Sequence, residues 1–125
     1  MSEVTALAHA SVLVSDTESA LRFYRDILGL KVSPQRPNLS YPGAWLDVGA
    51  AQIHLLELSN PDPVDGRPAH PGHDRHIAFH VHNLAAIKVS LARANVVYSL
   101  SRSGRVALFC RDPDGNGIEL IETIV

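Results

Sequence analysis

The chain is written twice. One alternating segment, "HASVLVSD" (9–16), opens on a histidine, and so does a second, "HIAFHVHN" (76–83). His9 aligns with His76, Val14 with Val81 and Asp16 with Asn83, all at an offset of 67 residues. Near the end of each half, "IHLLE" (53–57) lies against "IELIE" (118–122) at an offset of 65, which pairs His54 with Glu119. Repetition at this period constrains the fold more than any single motif, because both halves must then be copies of one supersecondary unit.

Periodicity identifies the unit. In 9–16, Ala10, Val12 and Val14 alternate with His9, Ser11 and Leu13, the pattern of a strand with one buried face. Asp16 or Thr17 can cap a helix in which Ala20, Leu21, Tyr24, Ile27 and Leu28 recur at helical spacing until Gly29 stops it. Three β-rich runs follow, "LKVSP", "GAWLDVGA" and "QIHLLEL", so the unit is β-α-β-β-β. Residues 59–74, "SNPDPVDGRPAHPGHD", have the Pro- and Gly-rich chemistry of a linker. Beyond it the order restarts with "HIAFHVHN", a helix striped by Leu84, Ile87, Leu91 and Ala94, and then "VVYSL", "RVALFCR" and "GIELIET". The fold class expected is α+β, one domain over 1–125, with module 1 at about 5–58 and module 2 at about 75–125.

Composition narrows the functions open to such a chain. With 125 residues, 46% of them hydrophobic, it can bury a core without disulfides or structural metal, so any metal would serve chemistry. A net charge of -2 with mixed signs leaves no basic stripe for nucleic acid. No apolar run approaches the roughly 18 residues of a membrane span, and "MSEVTALAHASVLV" lacks the basic start of a signal peptide, so a cytoplasmic protein is expected. The single Cys110 forbids an internal disulfide and reads as a small core hydrophobe.

Four of the seven histidines, His73, His76, His80 and His82, fall within 73–83. Strand alternation puts His76, His80 and His82 on one face with Ala78, opposite Ile77, Phe79 and Val81. The repeat singles out His76, because His80 and His82 have Leu13 and Ser15 as their counterparts, so these two read as pocket wall and strand end. In each half the first strand begins with a non-core histidine and the last strand adds a potential ligand: His9 with His54, His76 with Glu119. If the two sheets face each other across a pseudo-twofold axis, these four side chains converge. Three imidazoles and a carboxylate suit zinc, nickel, cobalt, manganese or iron(II). Trp45, Phe109 and Arg111 alternate out of phase with their buried neighbours, and with His80 they are expected to line a substrate pocket. His70 and His73 belong to the linker, as solvated loop residues or a lid.

The paired modules, together with "HASVLVSDTESALRFYRDILGL", "RHIAF" and "FCRDPDGNGIELIE", resemble the vicinal-oxygen-chelate superfamily, the glyoxalase, bleomycin-resistance and extradiol dioxygenase family, in its glyoxalase-like branch. The resemblance implies curved mixed sheets around a metal-centred cavity, usually in a homodimer. It implies His9, His76 and Glu119 as metal ligands, with His54 completing the site or moving a proton, so that His54 and Glu119 would be the catalytic pair. His54 departs from the glutamate of glyoxalase I and the glutamine of the epimerases. The expected function is a metal-dependent enzyme acting on a small molecule with vicinal oxygens through a metal-stabilised enediolate or oxyanion. Two alternatives stand beside it: an iron(II)-dependent dioxygenase, and a small-molecule binding or resistance protein without turnover.

Overall fold

A computed structural model describes residues 2–123. The chain divides between Asn60 and Pro61 into two compact units. The first unit holds β1 (His9–Val14), α1 (Thr17–Leu21), β2 (Lys31–Val32), β3 (Gly43–Val48) and β4 (Ala51–Glu57). Its sheet has the order β1-β4-β3-β2, with β1 parallel to β4 and the other pairs antiparallel. The second unit repeats the arrangement with β5 (His76–Val81), α2 (Leu84–Arg93), β6 (Ser99–Leu100), β7 (Ala107–Arg111) and β8 (Gly117–Glu122), in the order β5-β8-β7-β6.

In the first unit one sheet face carries Val14, Ala44, Leu46, Ile53 and Leu55, all buried, and α1 adds Ala20 and Leu21. In the second, Phe79, Leu108, Cys110, Ile118 and Leu120 make the equivalent layer, with Leu84 and Leu91 of α2. Both cores follow from the alternation that the sequence displays, since directly paired residues on neighbouring strands share a face. Burial pushes the Cys110 thiol up to about 12, with the Asp112 charge adding to it.

The first helix departs from simple periodicity. After Leu21 it continues as a π-helical stretch over Arg22–Ile27, closed by Leu28 N–H donating to the Phe23 carbonyl at 3.0 Å. The extra residue in that turn goes with adjacent Phe23 and Tyr24 both being buried, their rings edge-on with centroids 5.0 Å apart. Each helix start is held twice over. Asp16 and Asn83 accept from Ser19 and Ala86 N–H, while Glu57 and Glu122, at the ends of β4 and β8, accept from Thr17 and Leu84 N–H.

One expectation is corrected. Curved sheets around a metal-centred cavity are not what the chain forms: each sheet is an open four-stranded layer that ends on two edge strands. Among the described residues no three His, Cys, Asp or Glu side chains are grouped to hold a metal ion. The physical reason lies in how the expected donors are already engaged, as the site geometry makes plain. Among the described residues, no helix is long and apolar enough to cross a membrane.

Candidate functional site

The faces turned away from the helices carry the chemistry. In the first unit the register aligns Ser11, His54 and Trp45 across β1, β4 and β3, with His9, Gln52 and Asp47 as the adjoining row. His54, only 8% exposed, is sandwiched between two rings. Trp45 stacks on one side at 4.2 Å between centroids and 2° between planes, and His9 on the other at 3.9 Å and 12°. Burial lowers the His54 pKa, and the neighbouring His9 and the Arg36 cation lower it further, so the neutral imidazole is favoured.

Asp47 decides which nitrogen of His54 carries the proton. Gln52 Nε2 donates to Asp47 Oδ1 at 3.0 Å, which turns the amide oxygen of Gln52 towards His54. That oxygen lies 2.9 Å from His54 Nε2, which must therefore be the protonated nitrogen.

In the second unit Glu119 sits on the central strand β8, in register with Ala78 of β5 and Phe109 of β7. Its carboxylate is 5% exposed and each oxygen faces a nitrogen. Oε1 faces His76 Nε2 at 3.3 Å, and Oε2 accepts from Arg105 at 2.9 Å. His76 Nδ1 donates to the Asp74 carbonyl at 2.9 Å. Its Nε2 therefore meets Glu119 as a donor only when the ring is protonated, and a neutral ring presents a lone pair there. Phe109 is edge-on to His76 at 5.5 Å.

The linker covers part of this face. Pro71 is buried, and His70 lies 4.9 Å from the Phe109 ring and 4.8 Å from His73. His70 Nδ1 accepts from Gly72 N–H at 3.0 Å in a short 3₁₀ turn, Pro71–His73. A Cβ at Gly72 would come within 2.8 Å of the His70 ring and 3.1 Å of Phe109, so only glycine permits this approach. Asp74 anchors the segment, accepting from Arg67, from Arg111 at 2.9 Å and from Arg75 N–H at 2.8 Å. Arg67 beside Asp74 holds its carboxyl well below the usual carboxylate range, with Arg111 and the Arg75 N–H reinforcing it.

The expected site residues thus fall into two groups. His9, His54 and Trp45 come together in the first unit; His76, Glu119 and Phe109 come together in the second. Arg111 lies on the same face, yet it is committed to Asp74, Gly115 O and Pro68 O. His80 is exposed and pairs in register with Ile121. Sequence reasoning missed Asp47 and Gln52, which alternation places on the same face as Trp45 and His54, and Arg105, Asp74 and Arg67, which no periodic signal marks.

The four expected donors do not fit a metal as arranged. Imidazole lone pairs lie in the ring plane, so two stacked, nearly parallel rings aim along separate planes rather than at one ion. His54 Nε2 bears a proton, which leaves only Nδ1 of that ring with a lone pair, and Glu119 Oε2 is taken by Arg105.

Residues 6–120 match the family described as the glyoxalase/bleomycin resistance protein/dioxygenase superfamily. The chain is 30% identical over 122 residues to "Glyoxylase I 4" of Arabidopsis thaliana, covering 94% of this chain and 70% of that protein. A glyoxalase family protein from Bacillus anthracis superposes with a TM-score of 0.77 at 23% identity, over 99% of each chain. TnmS3, an antibiotic binding protein from Streptomyces sp. CB03234, does so at 0.69 and 22%, over 99% of this chain and 100% of that one. The chain belongs to the glyoxalase/bleomycin resistance protein/dioxygenase superfamily, in its glyoxalase-like branch.

Proposed function

We infer that the chain is a small-molecule-binding member of this superfamily, taking its ligand on the histidine-bearing sheet faces without needing an assembled metal centre. One observation carries the reading. In each unit the face opposite the helix, which a purely structural sheet would give to water, gathers aromatic rings around a buried ionisable side chain. His54 at 8% exposure sits with His9 and Trp45, and Glu119 at 4% with His76 and Phe109. Burying such groups is costly unless they are partnered, so their concentration on one face points to recognition rather than packing. TnmS3, a protein of the same fold, is described as an antibiotic binding protein, which supports this reading. The reading includes a homodimer in the cytoplasm, with the open sheet edges as the surfaces to be paired.

A second reading is a metal-dependent isomerase, lyase or iron(II) dioxygenase. It is favoured by the "Glyoxylase I 4" relative and by the lone pair that a neutral His76 turns towards Glu119. If a divalent ion bound there, it would polarise substrate oxygens. The two readings separate in one experiment. Chelator-treated chain is titrated calorimetrically with bleomycin and related antibiotics, and metal-loaded chain is assayed for hemithioacetal isomerase activity and for oxygen uptake. Binding by the metal-free chain without turnover supports the first reading. Turnover by the loaded chain, with no binding by the stripped one, overturns it.

A further inference from the structure

Of the seven histidines, five are engaged within the chain. His9 stacks on His54, His54 meets Gln52, His70 accepts from Gly72 N–H and stacks on His73, and His76 donates to the Asp74 carbonyl. His80 and His82 are the other two. Both are exposed, and among the described residues neither ring has a hydrogen-bond, ion-pair or stacking partner. Their lone pairs are open to solvent.

The two stand two positions apart on β5 and its immediate continuation. The parallel ladder that pairs Val81 with Glu122 runs one step further, because the Val81 carbonyl accepts from Thr123 N–H at 2.9 Å and from Thr123 Oγ1 at 3.2 Å. His82 therefore still follows the strand alternation, which carries it to the same face as His80. Two strand rises set their Cα atoms about 7 Å apart. Imidazoles at that separation can close on one ion at the roughly 2.0–2.1 Å of a metal–nitrogen bond. β5 is an edge strand, so the side away from β8 leaves room for the ion and its waters.

We propose that His80 and His82 form a surface chelate for a borderline divalent cation, zinc or copper(II), held by two imidazole nitrogens with water in the remaining positions. Imidazole suits these ions, whereas magnesium and calcium require oxygen donors. Chelation separates this pair from any single exposed histidine: once one ring holds the ion, the second binds it intramolecularly at a high effective concentration. The site goes beyond the binding reading and uses none of its side chains. The first unit has no equivalent, since the matching positions there are Leu13 and Ser15.

The test titrates zinc chloride into chelator-treated full chain, by calorimetry and by long-range imidazole 1H–15N correlation spectra, with magnesium chloride as the control. One equivalent of zinc should move His80 and His82 together to metal-bound nitrogen shifts, and magnesium should move neither. His80→Ala and His82→Ala should each weaken zinc binding by about a hundredfold, the advantage that the second ring confers. Both positions are exposed, so neither substitution opens the core, and the spectra of the unmodified chain give an independent answer. Zinc affinity unchanged by either substitution, a shift on one of the two rings without the other, or zinc taken first by other histidines overturns the proposal. These outcomes are distinct from failure of the binding reading, which is measured with antibiotic on the metal-free chain.

Discussion

The stack of His9, His54 and Trp45 gives the most quantitative prediction. The Trp45–His54 contact, at 4.2 Å and 2°, has close-stacking geometry, worth about 1 kcal/mol beyond the area it buries. His54→Leu alone removes that contact together with the hydrogen bond to Gln52, and leaves the Gln52 oxygen without its donor. Added apolar burial offsets part of this loss, so the single change should destabilise by about 1 to 2 kcal/mol. Trp45→Leu loses the stack and some ring burial, for a comparable cost. A double-mutant cycle isolates the shared part. The coupling between the two substitutions, from urea unfolding followed by far-UV circular dichroism at pH 8, should be about 1 kcal/mol, or about 3–5 °C in Tm. Gln52→Leu should couple to His54→Leu but not to Trp45→Leu, since Gln52 meets the ring edge and Trp45 its face. A Trp45–His54 coupling below about 0.3 kcal/mol, the ordinary scatter of additivity, would refute the claim that the rings interact as a stack.

Other consequences follow from the same geometry. Because His54 is held below its ordinary 6.5, the unfolded chain takes up the proton first on acidification. Its contribution to stability is therefore complete above about 6.5 and declines as pH falls from there towards the lowered folded value. Emission from Trp45, the single tryptophan, should fall with that protonation, and His9→Ala should move the midpoint up. Asp74 has the opposite chemistry and the same direction: its depressed carboxyl contributes fully above about 3.9 and is lost as pH falls towards the folded value. Asp74→Asn should accordingly speed amide exchange across 67–75 at neutral pH, and unchanged protection would remove Asp74 as the anchor. Glu57→Ala frees Thr17 N–H at a helix start and should cost about 1 kcal/mol in urea unfolding, with no effect meaning that Asp16 alone suffices. Cys110, with its thiol pushed up to about 12, should resist thiol reagents at pH 8 until the chain unfolds.

How far the sequence could be read depended on whether the signal was periodic. Val14, Leu46, Leu55, Leu108 and Leu120 sit at alternating positions of regular strands, so their shared cores were legible, and with them the β-α-β-β-β order of both halves. Alternation also puts His9, His54 and Trp45 on one face of the first sheet and His76, Glu119, Phe109 and Arg111 on one face of the second. It could not say what those side chains do once there. Stacking of His9 on His54 depends on rotamers and on Trp45 pressing from the far side. The commitment of Arg111 depends on Asp74, 37 residues away and inside a segment whose prolines and glycines read as solvated linker. That segment is instead bound to its sheet, through His70 on Phe109 and through the Arg67–Asp74–Arg111 charges. Arg105 was invisible for a related reason: a loop arginine that partners a strand glutamate leaves no repeat. The π-helical turn after Leu21 likewise follows from burying two adjacent aromatics, a demand that a 3.6-residue period does not express.

The protonation of the three histidines decides the central claim most directly. Long-range imidazole 1H–15N correlation spectra, recorded on chelator-treated chain before and after one equivalent of zinc, report which nitrogen of His9, His54 and His76 carries a proton and which binds metal. The account predicts that His54 holds its proton on Nε2, through the Asp47–Gln52 relay, and that this signal is unchanged by zinc. Metal-bound nitrogen shifts appearing together on His9, His54 and His76, through either ring nitrogen of His54, would contradict it and restore the metal-dependent reading.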